Sequence, residues 1–235
     1  MTVTGTTAQY DNAISISDIA AYASFGDVMK AAIERLAYNA GLSIDNIVRN
    51  VICSAGTQQN ASAQATSAAI PAGAHLIVSE LRKATRTLMA NDSPEQDDGS
   101  WVAVIHPHAL YDLQGDATTG SWVEANKYTE GREGLITGEV GKLYGIRFLQ
   151  TSNAATRGSG TAASATIYVT SIFGKDSFGV SELQALKTYV KPFGSAGTAD
   201  PTDKVATAGW KTLFGANVLN SSFFINVNHT VSSTA

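Results

Sequence analysis

The amino-acid sequence predicts an α+β fold: a long amphipathic helix near the N-terminus, a mixed α/β lobe in the middle of the chain and a β meander at its end. Three observations carry that expectation. Apolar residues recur at helical spacing in two consecutive stripes: Val28, Met29, Ala32, Ile33, Leu36, Ala37 and Ala40, then Ile44, Ile47, Val48, Val51 and Ile52. The run "WVAVI", Trp101–Ile105, is continuously apolar between turn signals, as a strand covered on both faces should be. Ala206, Ala208, Trp210, Phe214, Ala216 and Val218 fall on one parity of a C-terminal segment, the signature of a strand with one buried face.

Along the chain, Val3 to Ile16 alternates, with Tyr10, Asn12, Ile14 and Ile16 on one parity, and reads as a strand entering the fold with no partner N-terminal to it. From Ser17 the pattern turns helical. Gly41 can end or bend the first segment and Ser43 can cap a new start, so a long helix of about nine turns, either continuous or broken there, is expected. Ala55–Ala69 is small, polar and aperiodic, hence a loop or extended connection. Pro71 then opens a helix whose apolar face is Ile77, Val78, Leu81, Ala84 and Leu88. After the acidic turn Asp92–Ser100 and the Trp101–Ile105 strand come short helices over Pro107–Leu113 and about Trp122–Tyr128. "GIRFLQTS" and "ATIYVTSIFG" read as strands separated by a mobile "NAATRGSGTAAS". "ALKTYVKP", "VATAGWKTLFGANVLN" and "SFFINVNH" read as three meander strands packing on the long helix.

Composition narrows the function. A chain of 235 residues buries roughly 70% of its unfolded surface and needs no staples. Its single cysteine, Cys53, cannot form an internal disulfide. The net charge of −4 and the scattered Lys and Arg residues argue against wrapping nucleic acid. No apolar run is long enough to span a bilayer and the polar start lacks a signal core, so no membrane partner is expected. Charged residues make up only 15% of the chain, against about 25% in an ordinary globular domain. Surface covered by further copies of the chain would explain that, because interface centres are depleted in charge.

Candidate chemistry is sparse. His106 and His108 follow the buried strand with Asp112 nearby, but Pro107 between them starts a helix and their spacing does not put both rings on one helical face; capping or packing is the expected role. "GEVGK", Gly138–Lys142, lacks the glycine spacing and the hydroxyl residue of a phosphate loop. Ser195 in "GSAG" is not a nucleophile elbow, Cys53 lies on an apolar helical face, and Asp97 and Asp98 read as solvated. No catalytic, cofactor-binding or metal-binding residues are therefore expected. Arg82, Lys83 and Arg86 form a small basic edge on one helix, best paired to carboxylates of the same or a neighbouring subunit.

Seven stretches together resemble a known family. "YDNAISISDIAAYASFGDVMKAAIERLAYNAGLSIDNIVRNV", "SELRKATRTL", "WVAVIHPHALYDL", "GSWVEANKY", "GEVGKLYGIRFLQTSNA", "SIFGKDSFGV" and "LKTYVKPFGSAGTADPTDKVATAGWKTLFGANVLN" follow in order the layout of tailed-phage major capsid proteins, most closely those of Enquatrovirus-like podoviruses. The resemblance implies the Hong Kong phage shell fold: a spine helix over Asp27–Cys53, a peripheral β meander over Leu186–Asn228 and an inserted mixed α/β axial domain. It divides the chain into 1–16, a remnant of the extended loop; 17–70, the peripheral domain with the spine helix; 71–185, the axial domain; and 186–235, the returning meander. The N-terminal arm and the rising strand of the extended loop, which precede such a segment in the family, are expected to be absent.

The implied function is a non-enzymatic shell subunit that self-assembles through hexamers and pentamers into an icosahedral capsid around double-stranded DNA. Assembly would take place in the cytoplasm of a bacterial host, with weak contact to the genome on the inner face and with portal, scaffolding or decoration proteins as further partners. An encapsulin-like cellular compartment of the same fold is the alternative. The loop from Gly194 to Asp203, including Ser195 and Asp200, is expected at a local threefold, where its small residues let backbones approach. Tyr10, Arg82, Arg86, Trp122 and Trp210 complete the expected inter-subunit contacts, the aromatic residues on anchoring and expected exposure and the arginines on charge.

Overall fold

The computed structural model describes residues 5–116, Trp122, 139–159, 166–195 and 197–232. In chain order the elements are β1 (Ala8–Ser17), α1 (Asp18–Ala23), α2 (Val28–Ser54), β2 (Thr57–Asn60), α3 (Val78–Ala90), β3 (Trp101–Ile105), α4 (Pro107–Gly115), β4 (Glu139–Leu143), β5 (Ile146–Gln150), β6 (Thr156–Ser159), β7 (Thr166–Phe173), β8 (Phe178–Lys191), β9 (Val205–Val218) and β10 (Phe224–His229). They form two compact units, one of residues 1–48 with 180–217, the other of residues 49–179 with 218–235. The divisions fall inside α2, β8 and β9.

The first unit is a three-stranded sheet, order β1-β9-β8, with α2 on one face. β1 runs antiparallel to β9 and opposes Tyr10 to Thr212, Asn12 to Trp210, Ile14 to Ala208 and Ile16 to Ala206. The two parities read from the sequence are therefore one face, and Leu36, Ala40 and Met29 of α2 cover it together with Tyr10, Ile14, Ala208 and Trp210. Polar groups fix the fit: the Asn39 carbonyl oxygen accepts from the Asn12 amide at 2.9 Å and from the Trp210 indole N–H at 3.3 Å. Ser17 caps α1 by accepting from the Ala20 N–H at 3.3 Å. Among the described residues neither the outer edge of β1 nor that of β8 has a partner strand. β8 leaves Val180, Leu183, Leu186, Tyr189 and Val190 exposed along its length.

α2 is continuous through Gly41, which settles the open question of a break there. A Cβ at Gly41 would meet nothing within 4 Å, and the glycine costs only its propensity, about 1 kcal/mol against alanine, in a helix held by packing on both sides of it. Gly215 is the more demanding position, because a Cβ there would overlap the Thr6 carbonyl oxygen where the chain runs into β1. Gly215→Ala is expected to loosen residues 6–10 at a cost of about 1 kcal/mol, seen as faster amide exchange confined to that stretch.

The second unit is a seven-stranded mixed sheet, order β2-β10-β7-β3-β5-β4, with β6 paired to β7. Leu81, Ala84 and Leu88 of α3 and Ala109, Leu110 and Leu113 of α4 share one core with Trp101, Ile105, Phe148, Ile172, Ile225 and Val227 of the sheet. A smaller cluster joins Ala61, Ile70, Ala74 and Ile167.

Several expectations are corrected here. β10, expected as the third meander strand, lies between β2 and β7 in this second sheet, and β1 takes the third place in the first. All six residues of β10 are buried, a burial that a sheet open on one face would not provide. The expected loop over 55–69 contains β2, which pairs parallel to β10 and adds a side-chain rung in which the Asn228 amide donates to Asn60 at 2.9 Å and to Gln58 at 3.3 Å. The stretch expected to be mobile contains β6. α3 starts at Val78 rather than at Pro71: Ala74 and Leu76 are buried in extended chain, and the Asp116 carboxylate accepts from the Val78 N–H at 2.9 Å. The short helix expected over 122–128 lies outside the described residues except for Trp122.

Candidate assembly surfaces

The histidines belong to packing and capping. His106 Nδ1 accepts from the His108 N–H at 3.2 Å ahead of Pro107, the first residue of α4. The rings of His106 and His108 lie 4.8 Å apart, and Tyr168 lies 4.8 Å from His106. Burial, then the neighbouring His108, lowers the His106 pKa. Among the described residues no three His, Cys, Asp or Glu side chains are grouped to hold a metal ion.

His229 is fully buried. A backbone carbonyl only accepts, so the ring donates from Nδ1 to the Thr230 carbonyl at 3.0 Å and accepts at Nε2 from the Thr170 hydroxyl at 3.0 Å. Burial pushes its pKa down to about 4, against small opposing effects of the Thr230 carbonyl and Asp112. Between that value and the ordinary pKa near 6.5 the unfolded chain binds the proton and the folded one does not, so stability is complete above about pH 6.5 and declines as the pH falls to 4. The expected loss is about 3 kcal/mol, read from urea midpoints at pH 7.5 and 4.5, with the slope flattened in His229→Gln.

The remaining candidates for chemistry have structural partners. Residues 139–142 of the "GEVGK" stretch lie in β4, and Lys142 pairs with Asp98 at 3.3 Å; Gly138 is outside the described residues. Asp98 is not simply solvated: it accepts from Ser100 at 2.7 Å and pairs with Arg147 at 2.9 Å, and the Ser100 hydrogen bond leads in lowering its pKa. Asp97 pairs with Lys175 at 2.7 Å. Cys53 sits in the last turn of α2, 3.5 Å from the Ser171 hydroxyl, and burial pushes its thiol pKa up. The Arg157 guanidinium donates to the Cys53 carbonyl, and the Asn226 amide reaches the same helix end.

The surfaces hold the rest. The loop between β8 and β9 is tied by its own bonds: Ser195 donates twice to the Pro192 carbonyl, Asp200 N–H donates to Gly197, and the Asp200 carboxylate accepts from the Val205 N–H at 2.8 Å. Gly194, Gly197 and Asp203 take φ of 82°, 56° and 53°, in the left-handed region that glycine enters without cost. The loop is a shaped, exposed tip rather than a slack linker. Of the basic edge, only Lys83 has a carboxylate, Glu80 at 2.8 Å; Arg82 lies over the Tyr144 ring at 5.9 Å, and Arg86 has no partner among the described residues.

The aromatic side chains named as anchors have uses inside the chain. Trp210 is 4% exposed against α2, Trp122 is 8% exposed with its ring edge-on to Phe148 at 5.4 Å, and Tyr10 is half-buried beside Leu36. The most exposed aromatic side chains are others, Tyr22, Phe25, Tyr38 and Tyr111, with Tyr189 also exposed. A signal existed for two of them: Ile19, Tyr22 and Phe25 recur every third residue between strand and helix, outside both apolar stripes.

Shaped loops, open strand edges and bare aromatic side chains leave the surfaces, among the described residues, as the candidate sites of contact. A family model described as phage capsid protein matches residues 1–225. The fold matches the capsid of Ralstonia phage GP4 with a TM-score of 0.76 at 12% identity, over 98% of this chain and 75% of that one. It matches the capsid of cyanophage Pam1 at 0.70 and 17% identity, over 97% and 75%, and that of cyanophage P-SCSP1u at 0.65 and 17%, over 95% and 72%. Among curated protein sequences there is no significant match. The chain belongs to the phage capsid protein family and has the mixed helix-and-sheet shell fold of that class.

Proposed function

We propose that this chain is the major capsid subunit of a phage, assembling through hexamers and pentamers into an icosahedral shell around double-stranded DNA in the host cytoplasm. The observation that carries the reading is the family match over residues 1–225. The seven ordered blocks favour the Enquatrovirus-like podovirus branch within the family. In this reading residues 17–70 and 186–235 are the peripheral domain, 71–185 the axial domain and 1–16 part of the extended loop. The phage capsids it resembles favour a virion over a cellular compartment.

Different patches on each copy would meet, and curvature of those contacts closes the surface. Each contact need only be modest, because a subunit held by one neighbour meets the next at high effective concentration. A net charge of −4 suits a wall that lets DNA enter and leave. Electron microscopy and mass photometry of the purified protein test the reading: closed particles of uniform diameter are expected, and a monomer at every concentration would overturn it. DNA binding by the isolated subunit should vanish between 50 and about 200 mM salt; binding that survives would contradict the weak-contact wall.

A further inference from the structure

Two surfaces on this chain complement each other. The first runs from Asp18 to Asp27, through α1 and into the start of α2. It carries acidic charges and no basic one, and Ile19 is 74% exposed, Tyr22 87% exposed and Phe25 fully exposed. Apolar side chains this bare, three within seven residues, mark a surface that is covered in use. The second lies in the other unit, along α3, where Arg82, Arg86 and Met89 border a cleft of about 480 Å³ with Tyr144 and Glu95. Arg86 has no carboxylate or hydrogen-bond partner among the described residues, Arg82 has only the Tyr144 ring, and Glu95 is within ion-pair distance of neither. Met89, 58% exposed, gives the cleft an adaptable apolar wall.

We propose that the Asp18–Asp27 segment of one copy docks in the Arg82–Arg86 cleft of a neighbouring copy, its aromatic side chains against Met89 and Tyr144 and its carboxylates facing the two arginines. The proposal rests on the shell reading above and assigns one contact within it. Charge complementarity selects a second copy as the occupant: two aspartates flank the apolar group on one side, Asp27 also accepting from the Lys30 N–H at 3.1 Å, and two arginines without a carboxylate partner among the described residues flank the cleft on the other. The patches differ, so the contact is heterologous. Repeating it joins copies head to tail, into a ring where the rotation closes, whereas an isologous contact would stop at a dimer. Aromatic and arginine side chains are also the residue types that most often carry the energy of an interface centre.

The test uses assembled particles in which Phe25 is replaced by photoreactive p-benzoylphenylalanine, with cross-linked peptides mapped after irradiation. Cross-links between copies to the peptide holding Met89 or Tyr144 are expected. Independently, Arg86→Asp should lower the yield of closed particles at least tenfold, and Asp27→Arg in the same chain should restore most of it; restoration excludes simple misfolding. Particles whose cross-links map elsewhere, or whose yield is unchanged by Arg82→Asp and Arg86→Asp together, would overturn the docking and leave the shell reading intact. Loss of packaged DNA with normal assembly in those variants would make the cleft a phosphate site and also overturn it. No particles from the unmodified chain would overturn the shell reading, and this contact with it.

Discussion

Replacing Asn226 by Leu is expected to destabilise the second unit by about 3–5 kcal/mol. The Asn226 amide is fully buried and donates to the carbonyls of Ile52 at 2.9 Å, Cys53 at 3.3 Å and Ala55 at 2.6 Å. One side chain from β10 thus serves as the C-cap of α2, which ends without a basic residue in its last turn. Leu keeps the branched outline but its two methyl groups are larger than O and NH2, so at this fully buried site lost hydrogen bonds are joined by some overpacking. Arg157 still reaches the Cys53 carbonyl, whereas the Ile52 and Ala55 oxygens lose this donor, at about 1–3 kcal/mol each. Asn226→Asp should be worse, because it places a carboxylate against three carbonyl oxygens. Amide exchange in β10 and the last turns of α2 is the readout, since a chain of two units need not melt as one. Protection there should fall by at least a hundredfold, and unchanged protection would show that the cap is dispensable.

Trp210→Ala is expected to cost the first unit about 3–5 kcal/mol. The ring is nearly covered by Leu36 and Ala40, and its N–H shares the Asn39 oxygen with Asn12, so truncation leaves a cavity and removes one tie between helix and sheet. Trp210→Phe keeps most of the packing and should lose only the hydrogen bond, about 1 kcal/mol. Exchange should accelerate across β1, β9 and the first half of α2 while β3, β5 and β7 stay protected. Equal acceleration in both units would mean that they unfold together.

These two residues also show what the sequence revealed and what it hid. Trp210 was legible as a core position because alternation over 206–218 is clean and the facing helix carries a matching stripe. Asn226 was not. Its strand reads as alternating because Asn226 and Asn228 are polar, yet both are buried, as is His229: the Asn amide N–H groups donate to the end of α2 and to β2 while their carbonyl oxygens stay without a partner among the described residues, and His229 is held by Thr170 and the Thr230 carbonyl. A polar residue that is hydrogen-bonded inside looks, in a sequence, like one that faces water. β2, with the residues Thr-Gln-Gln-Asn, was invisible for a different reason: it has no apolar residue to alternate and is held by pairing with β10. The basic edge at Arg82 and Arg86 was legible in composition and spacing, whereas the exposure of Tyr22 and Phe25 depended on which turns pack against what. Trp122 was expected to be an exposed aromatic anchor, whereas its ring is 8% exposed and packs inside the second unit.

The uncovered edge of β8 has a consequence for the newly made chain. Fourteen residues of strand with few charges are an open template for any extended segment nearby, including another β8. If the chain assembles as proposed, growth of the shell and disordered aggregation would draw on the same pool of free subunits, and both would speed up with concentration. Which one prevails becomes a matter of timing. A slow supply of chains, consumed by edges already growing, should give soluble product, whereas a sudden excess released from denaturant should give fibrous or amorphous precipitate enriched in β-structure. An open strand edge is hazardous whenever chains are made faster than that edge can be covered.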